Sequence, residues 1–145
     1  MASAKSNPHG PVLGALLGCL AIAALSLVAA HGAEAPPPAL AKARLAFATA
    51  VAAKDLSAIS AITTFPLKAA VTGQPSSVAR TAFAKFAQKN GYAEGAGCLK
   101  SEPLERADTH EHGANVWLVN CNGNIFYFAL ANGVWRHSGY ENINE

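Results

Sequence analysis

The chain is short of charge. Only 14% of its 145 residues are Asp, Glu, Lys or Arg, and the net charge is +2. It has no basic run and no acidic tail. Nucleic acid is thereby excluded as a partner, because phosphate contacts need clustered Lys and Arg. There is no glycine-rich phosphate loop and no internal repeat, and Ser57, Ser60 and Ser101 have no nucleophile elbow around them. The length admits one small domain.

Most of the charge deficit falls in the first half. Lys5 precedes an uncharged run from Ser6 to Ala33 with an apolar core from Val12 to Ala30. A basic start, an apolar centre and small residues before a cut form a secretory signal pattern. Val28-Ala29-Ala30 and Ala33-Glu34-Ala35 offer cleavage points. Residues 1–35 are read as a signal peptide or a signal anchor, with a stiff Pro36-Pro37-Pro38 spacer outside any helix. Export to a periplasm or the outside is expected. The alternative is retention at a membrane by residues 11–30, which are nearly long enough to span one. Leu16-Leu17-Gly18-Cys19 looks like a lipoprotein box, but the apolar run continues well past Cys19.

Removing the leader removes Cys19 and leaves Cys98 and Cys121. An even count in an exported chain predicts one disulfide; two buried free thiols are the alternative. Such a bridge closes about 22 residues and contributes roughly 3 kcal/mol through chain entropy.

The strongest structural signal lies in residues 115–140. Asn122-Gly123 and Asn132-Gly133 separate Val116–Cys121, Asn124–Leu130 and Val134–Tyr140. Asn-Gly suits a type I′ turn, which needs positive φ at both central positions. Two such turns predict a three-stranded meander. With two-residue loops and no bulge, Trp117 faces Phe128, Phe128 faces His137, Val119 faces Phe126 and Leu130 faces Trp135. One sheet face then carries Trp117, Val119, Cys121, Phe126, Phe128, Leu130, Trp135 and His137, and is assigned to the core. The other carries Val116, Leu118, Asn120, Ile125, Tyr127, Arg136, Ser138 and Tyr140. It is too apolar to be simply solvated, so another element or a partner is expected over part of it.

Upstream, Leu40, Phe47 and Val51 at helical spacing predict a helix over 39–53. Asp55 N-caps a second, short helix ending near Ile62, and Pro66 bars its continuation. Phe65–Thr72 is a predicted strand. Arg80–Asn90 is a third helix with Phe83, Phe86 and Ala87 inward and Asn90-Gly91 as its stop. Tyr92, Gly95 and Gly97 mark a loop. Cys98–Arg106 is predicted to be a strand, bulged or at an edge because of Pro103. Ala107–Ala114 is the loop returning to the meander. A Cys98–Cys121 bridge would then staple one long hairpin centred between Thr109 and His110.

The fold class expected over 39–145 is a single α+β domain, with N-terminal helices packed on a bent antiparallel sheet. The element order, the Thr64-Phe65-Pro66-Leu67 junction and the aromatic closing strands resemble the nuclear transport factor 2-like superfamily, which includes the ketosteroid isomerases. The resemblance implies a cystatin-like or cone-like sheet wrapped around a pocket capped by helices. It also implies dimerisation through the outer sheet face.

Candidate functional residues are few. Trp117, Phe128, Trp135 and His137 form an aromatic surface suited to a small apolar ligand. A His inside such a surface loses basicity by desolvation and can act as base or donor; the plainer reading is a core histidine bonded to backbone. In Asp108-Thr109-His110-Glu111-His112, His110 and His112 would share a face on a strand, but a closed metal site needs further ligands. No metal or other cofactor is expected. The strands Val116–Cys121 and Asn124–Leu130 hold no Asp, Glu, Lys, Arg or His, so no family catalytic residue carries over. The leading reading is a non-catalytic binding or interaction domain, taking a small apolar ligand or a second copy of itself. One alternative is a small isomerase- or hydratase-like enzyme using His137. Another is an envelope interaction module on an uncleaved anchor.

Overall fold

The first helix begins earlier than the proline triplet suggests. In the computed structural model, which describes residues 34–144, α1 runs Pro38–Ala52. Pro38 takes its first position, where a missing N–H breaks no helical bond and the fixed φ is already helical. Only Pro36 and Pro37 act as spacer. Leu40, Phe47, Ala48 and Val51 bury one face of α1. The short α2 (Leu56–Ala61) starts at Asp55, whose carboxylate accepts a hydrogen bond from the Ala58 N–H at 2.9 Å. The leader expected over residues 1–35, including the possible anchor over 11–30 and Cys19, lies outside the described residues except for Glu34 and Ala35.

Six strands form one sheet: β1 Thr63–Ala70, β2 Ser77–Val78, β3 Glu105–Arg106, β4 Val116–Cys121, β5 Asn124–Ala131 and β6 Val134–Asn142. Their spatial order is β2-β1-β6-β5-β4-β3. The remaining helices are α3 (Phe83–Lys89), α4 (Ala96–Ser101) and the single turn α5 (Thr109–His112). The sheet is mixed, which corrects the antiparallel expectation: β1 lies parallel to β6. The helical segments between them let β1 return in that sense, as a hairpin cannot.

Both Asn-Gly turns form with positive φ at Asn122, Gly123, Asn132 and Gly133. All four anticipated pairings are present: Trp117 with Phe128, Val119 with Phe126, Phe128 with His137, and Leu130 with Trp135. A bulge then intervenes. Tyr127 pairs with Gly139 while Phe128 pairs with His137, so Ser138 is an extra residue. One added residue reverses the facing of everything after it. Tyr140 therefore pairs with Phe126 and enters the core at 2% exposure, not the outer face.

A second correction concerns Cys98. It sits in α4, not in a strand, and the strand in that region is only Glu105–Arg106. The disulfide to Cys121 is present, with Cα atoms 5.7 Å apart. It ties a helix to the end of β4 and does not staple a long hairpin. The β3–β4 pairing is Glu105 with Leu118 and Arg106 with Trp117.

The outer sheet face is partly covered. Ala107, Ile125 and Tyr127 bury a second, smaller cluster with Val116 and Leu118 against it. The expected loop over 107–114 contains α5, which lays His112 on Tyr127 with ring centroids 4.6 Å apart.

Candidate functional site

The interior between α1 and the sheet is filled with rings. Phe47 is central: its centroid lies 4.4 Å from His137, 5.5 Å from Phe128, 6.1 Å from Phe126 and 6.4 Å from Tyr92. Tyr92, assigned from sequence to a loop, is 3% exposed and contacts Phe83, Phe86, Phe126 and Tyr140 as well. Gly91, at φ 61, turns the chain to deliver it there. The sequence signal for Tyr92 was weak, because one aromatic between glycines has no periodicity.

Trp117 and Phe128 are fully packed in this interior. Trp135 and His137 instead line a cleft of about 320 Å³ between α1 and the start of β6, together with Ala39, Ala43, Phe47 and Val134. Lys42 and Arg136 also border it. Of the four aromatic-face candidates, Trp117, Phe128 and His137 are buried and only Trp135 is half-buried at the cleft.

His137 is 1% exposed. The Thr63 hydroxyl donates to the Ile59 carbonyl at 2.7 Å, and its oxygen lies 3.2 Å from His137 Nδ1. With the hydroxyl hydrogen engaged by Ile59, Nδ1–H donates to Thr63 and Nε2 keeps its lone pair. Nε2 makes no hydrogen bond of ordinary geometry. Burial pushes the pKa down to about 3, and the Gly139 backbone offsets only part of that shift. Such a ring is neutral at physiological pH, a donor to Thr63 and a weak base. The ring is thus held by the Thr63 hydroxyl and by the Gly139 backbone, in keeping with a core histidine bonded to backbone.

This gives a pH dependence. His137 titrates near 3 when folded against 6.5 ordinarily, so the unfolded chain takes up the proton first. The stability contributed by the neutral ring is complete above pH 6.5 and drains away as pH falls toward 3. Denaturant titrations at pH 7 and pH 5 are expected to differ by roughly 2 kcal/mol through this group. His137→Asn, whose amide reaches the Nδ1 position, should flatten that difference; an undiminished slope in the variant counts against the assignment.

The Tyr92 hydroxyl is another buried polar atom without a protein partner, as are Arg44 Nε and Thr64 Oγ1. Burial, then the neighbouring Tyr140, hold its pKa well above the ordinary phenol value, so it stays a donor.

His110 and His112 do not share a strand face. Asp108 caps α5 through the His110 N–H at 2.7 Å, and His112 lies on Tyr127 with Glu111 3.7 Å from its Nε2. Among the described residues, no group of three or more His, Cys, Asp or Glu is placed to hold a metal ion. Tyr127 donates to Glu141 at 2.6 Å on the same face.

Fold and bond define the class: an α+β domain with helices packed on a six-stranded mixed sheet and one disulfide. A bond of that kind belongs to an oxidising, non-cytosolic compartment. Among the described residues no helix is long and apolar enough to cross a membrane. No protein-family model matches the chain, and no curated protein matches it in sequence.

Proposed function

We propose that this is an exported, non-catalytic binding domain that takes a small apolar molecule in the α1–β6 cleft. The observation that carries this reading is the cleft itself, walled by Trp135, Phe47, Ala43 and Val134 and large enough for a compact guest at about 320 Å³. The signal pattern before Ala35 supports export, as does the disulfide. Support for a nuclear transport factor 2-like origin comes from the element order and from helices stacked on one sheet face. The isomerase-like alternative has less behind it, since His137 is bonded to Thr63 and a ring with a pKa near 3 is poorly matched to proton abstraction near neutrality.

Two tryptophans allow a direct test. Trp117 is 1% exposed and capped by the Arg106 guanidinium 5.6 Å from its ring, whereas Trp135 is half-buried at the cleft. Titration with 1-octanol is expected to give a saturable blue shift in emission that disappears in Trp135→Phe. A shift that survives in that variant, or a response that never saturates, overturns the reading.

A further inference from the structure

A recess of different chemistry adjoins the α1–β6 cleft along the start of β6. It encloses about 350 Å³, and its lining includes Thr63, Thr64, Phe65, Arg80, Asn132 and Arg136. Val134 and Arg136 border both the recess and the cleft. The charges along this edge have one sign. Lys42 and Arg136 stand at the cleft, Arg80 and Arg136 at the recess, and no Asp or Glu among the described residues lines either.

The two arginines are fixed relative to one another. Arg136 Nη1 donates to the Ala61 carbonyl at 2.7 Å. Arg80 Nη1 donates to the preceding carbonyl, that of Ser60, at 3.3 Å and to the Ser60 hydroxyl at 3.1 Å. Both guanidinium groups are thus tied to neighbouring peptide oxygens at the end of α2. The Arg80 group also lies over the Phe65 ring, 4.5 Å from its centroid, which restricts it further. Closing the end of a helix accounts for one nitrogen of each arginine. Nε and Nη2 of both have no acceptor among the described residues, and neither arginine has an ion-pair partner there. Those two nitrogens form the edge with which a guanidinium grips an oxyanion in bidentate fashion. In half-buried Arg136 they keep their access to solvent. Two like charges anchored side by side repel each other, and an anion between them relieves the repulsion.

We propose that the guest of the α1–β6 cleft is an amphiphilic anion, of the chemistry of a medium-chain fatty acid. Its apolar body lies against Phe47, Ala43 and Trp135, and its carboxylate sits between Arg80 and Arg136. The proposal rests on the apolar reading of the cleft and adds the head group. Arg136 borders both spaces, so a chain held in the cleft presents its head to the arginine pair without leaving the wall. A neutral amphiphile leaves both guanidinium edges unanswered, and a cationic one meets three positive side chains. The site therefore discriminates by the charge of the head group.

The test uses the full chain and three probes with one tail: octanoate, 1-octanol and octylamine, each followed by the Trp135 emission shift. Octanoate is expected to bind about fivefold to tenfold more tightly than octanol at low salt, an advantage that shrinks as salt rises. Octylamine should bind no better than octanol. Amide shifts at Thr64 and Asn132 should accompany octanoate and not octanol. The octanoate-to-octanol affinity ratio, measured within each variant, is insensitive to a partial loss of fold. Arg80→Gln, outside the apolar cleft, should lower that ratio about threefold, and Arg80→Gln combined with Arg136→Gln should bring it near one. A wild-type ratio near one, a ratio that both substitutions leave intact, or octylamine binding more tightly than octanol overturns the proposal. If octanol saturates and the ratio is near one, only the head-group assignment falls. If octanoate saturates and octanol does not, the neutral-guest reading falls and the arginine seat stands. If neither saturates, both fall.

Discussion

Replacing Phe47 by alanine is expected to lower the unfolding free energy by about 4 kcal/mol, measured by urea denaturation at pH 7. Phe47 is 1% exposed and contacts Tyr92, Phe126, Phe128 and His137 with ring centroids 4.4–6.4 Å away. Truncation removes the transfer energy of a phenyl ring. It also leaves a hole that strands and a disulfide-tied helix are too constrained to close. Phe47→Leu keeps most of the volume and should lose less than half as much. A loss near 1 kcal/mol for the alanine variant would mean that the interior collapses freely, contrary to the packing described.

Breaking the Cys98–Cys121 bond is the second large effect. The two cysteines are separated by 23 positions, and a loop of that length stabilises the fold by roughly 3 kcal/mol through the unfolded chain. Dithiothreitol treatment, or the Cys98→Ser/Cys121→Ser pair, should therefore lower the thermal midpoint by roughly 10 °C or more. An unchanged midpoint after complete reduction, confirmed by mass after alkylation, would show that the bond adds little beyond the packing of α4.

Some of this architecture is legible in the amino acids because local chemistry decides it. Asn-Gly pairs leave few conformations for a turn, and two turns a short distance apart set a register over three strands. Asp55 is a cap because its side chain can reach an N–H three residues on. The cysteine pair follows from counting once Cys19 is assigned to a leader.

What the sequence hides is decided elsewhere in the chain. The partner of β1 is β6, about seventy residues away, so no window of sequence around Thr63 indicates a parallel ladder. The bulge at Ser138 has a single mark, Gly139 beside it in the strand, which a regular register passes over, and that bulge carries Tyr140 inside. The helix at Cys98 is six residues long, too short for its periodicity to show, and it forms where α1 offers α4 a surface to pack on. The candidate site divides for the same reason. Trp117, Phe128, Trp135 and His137 share a sheet face as predicted, but sheet periodicity cannot say where α1 stops covering it. Tyr92, which the aromatic core packs around, lies in a turn with no periodicity.

The parallel seam between β1 and β6 also bears on how the chain is made. One side of the sheet is the β1–β2 pair and the other is the β5–β4–β3 ladder. They share only β6, residues 134–142. A polypeptide emerging from its N-terminus therefore holds two half-sheets with open edges until that final stretch arrives. Closure is a late event joining distant segments, which favours slow assembly.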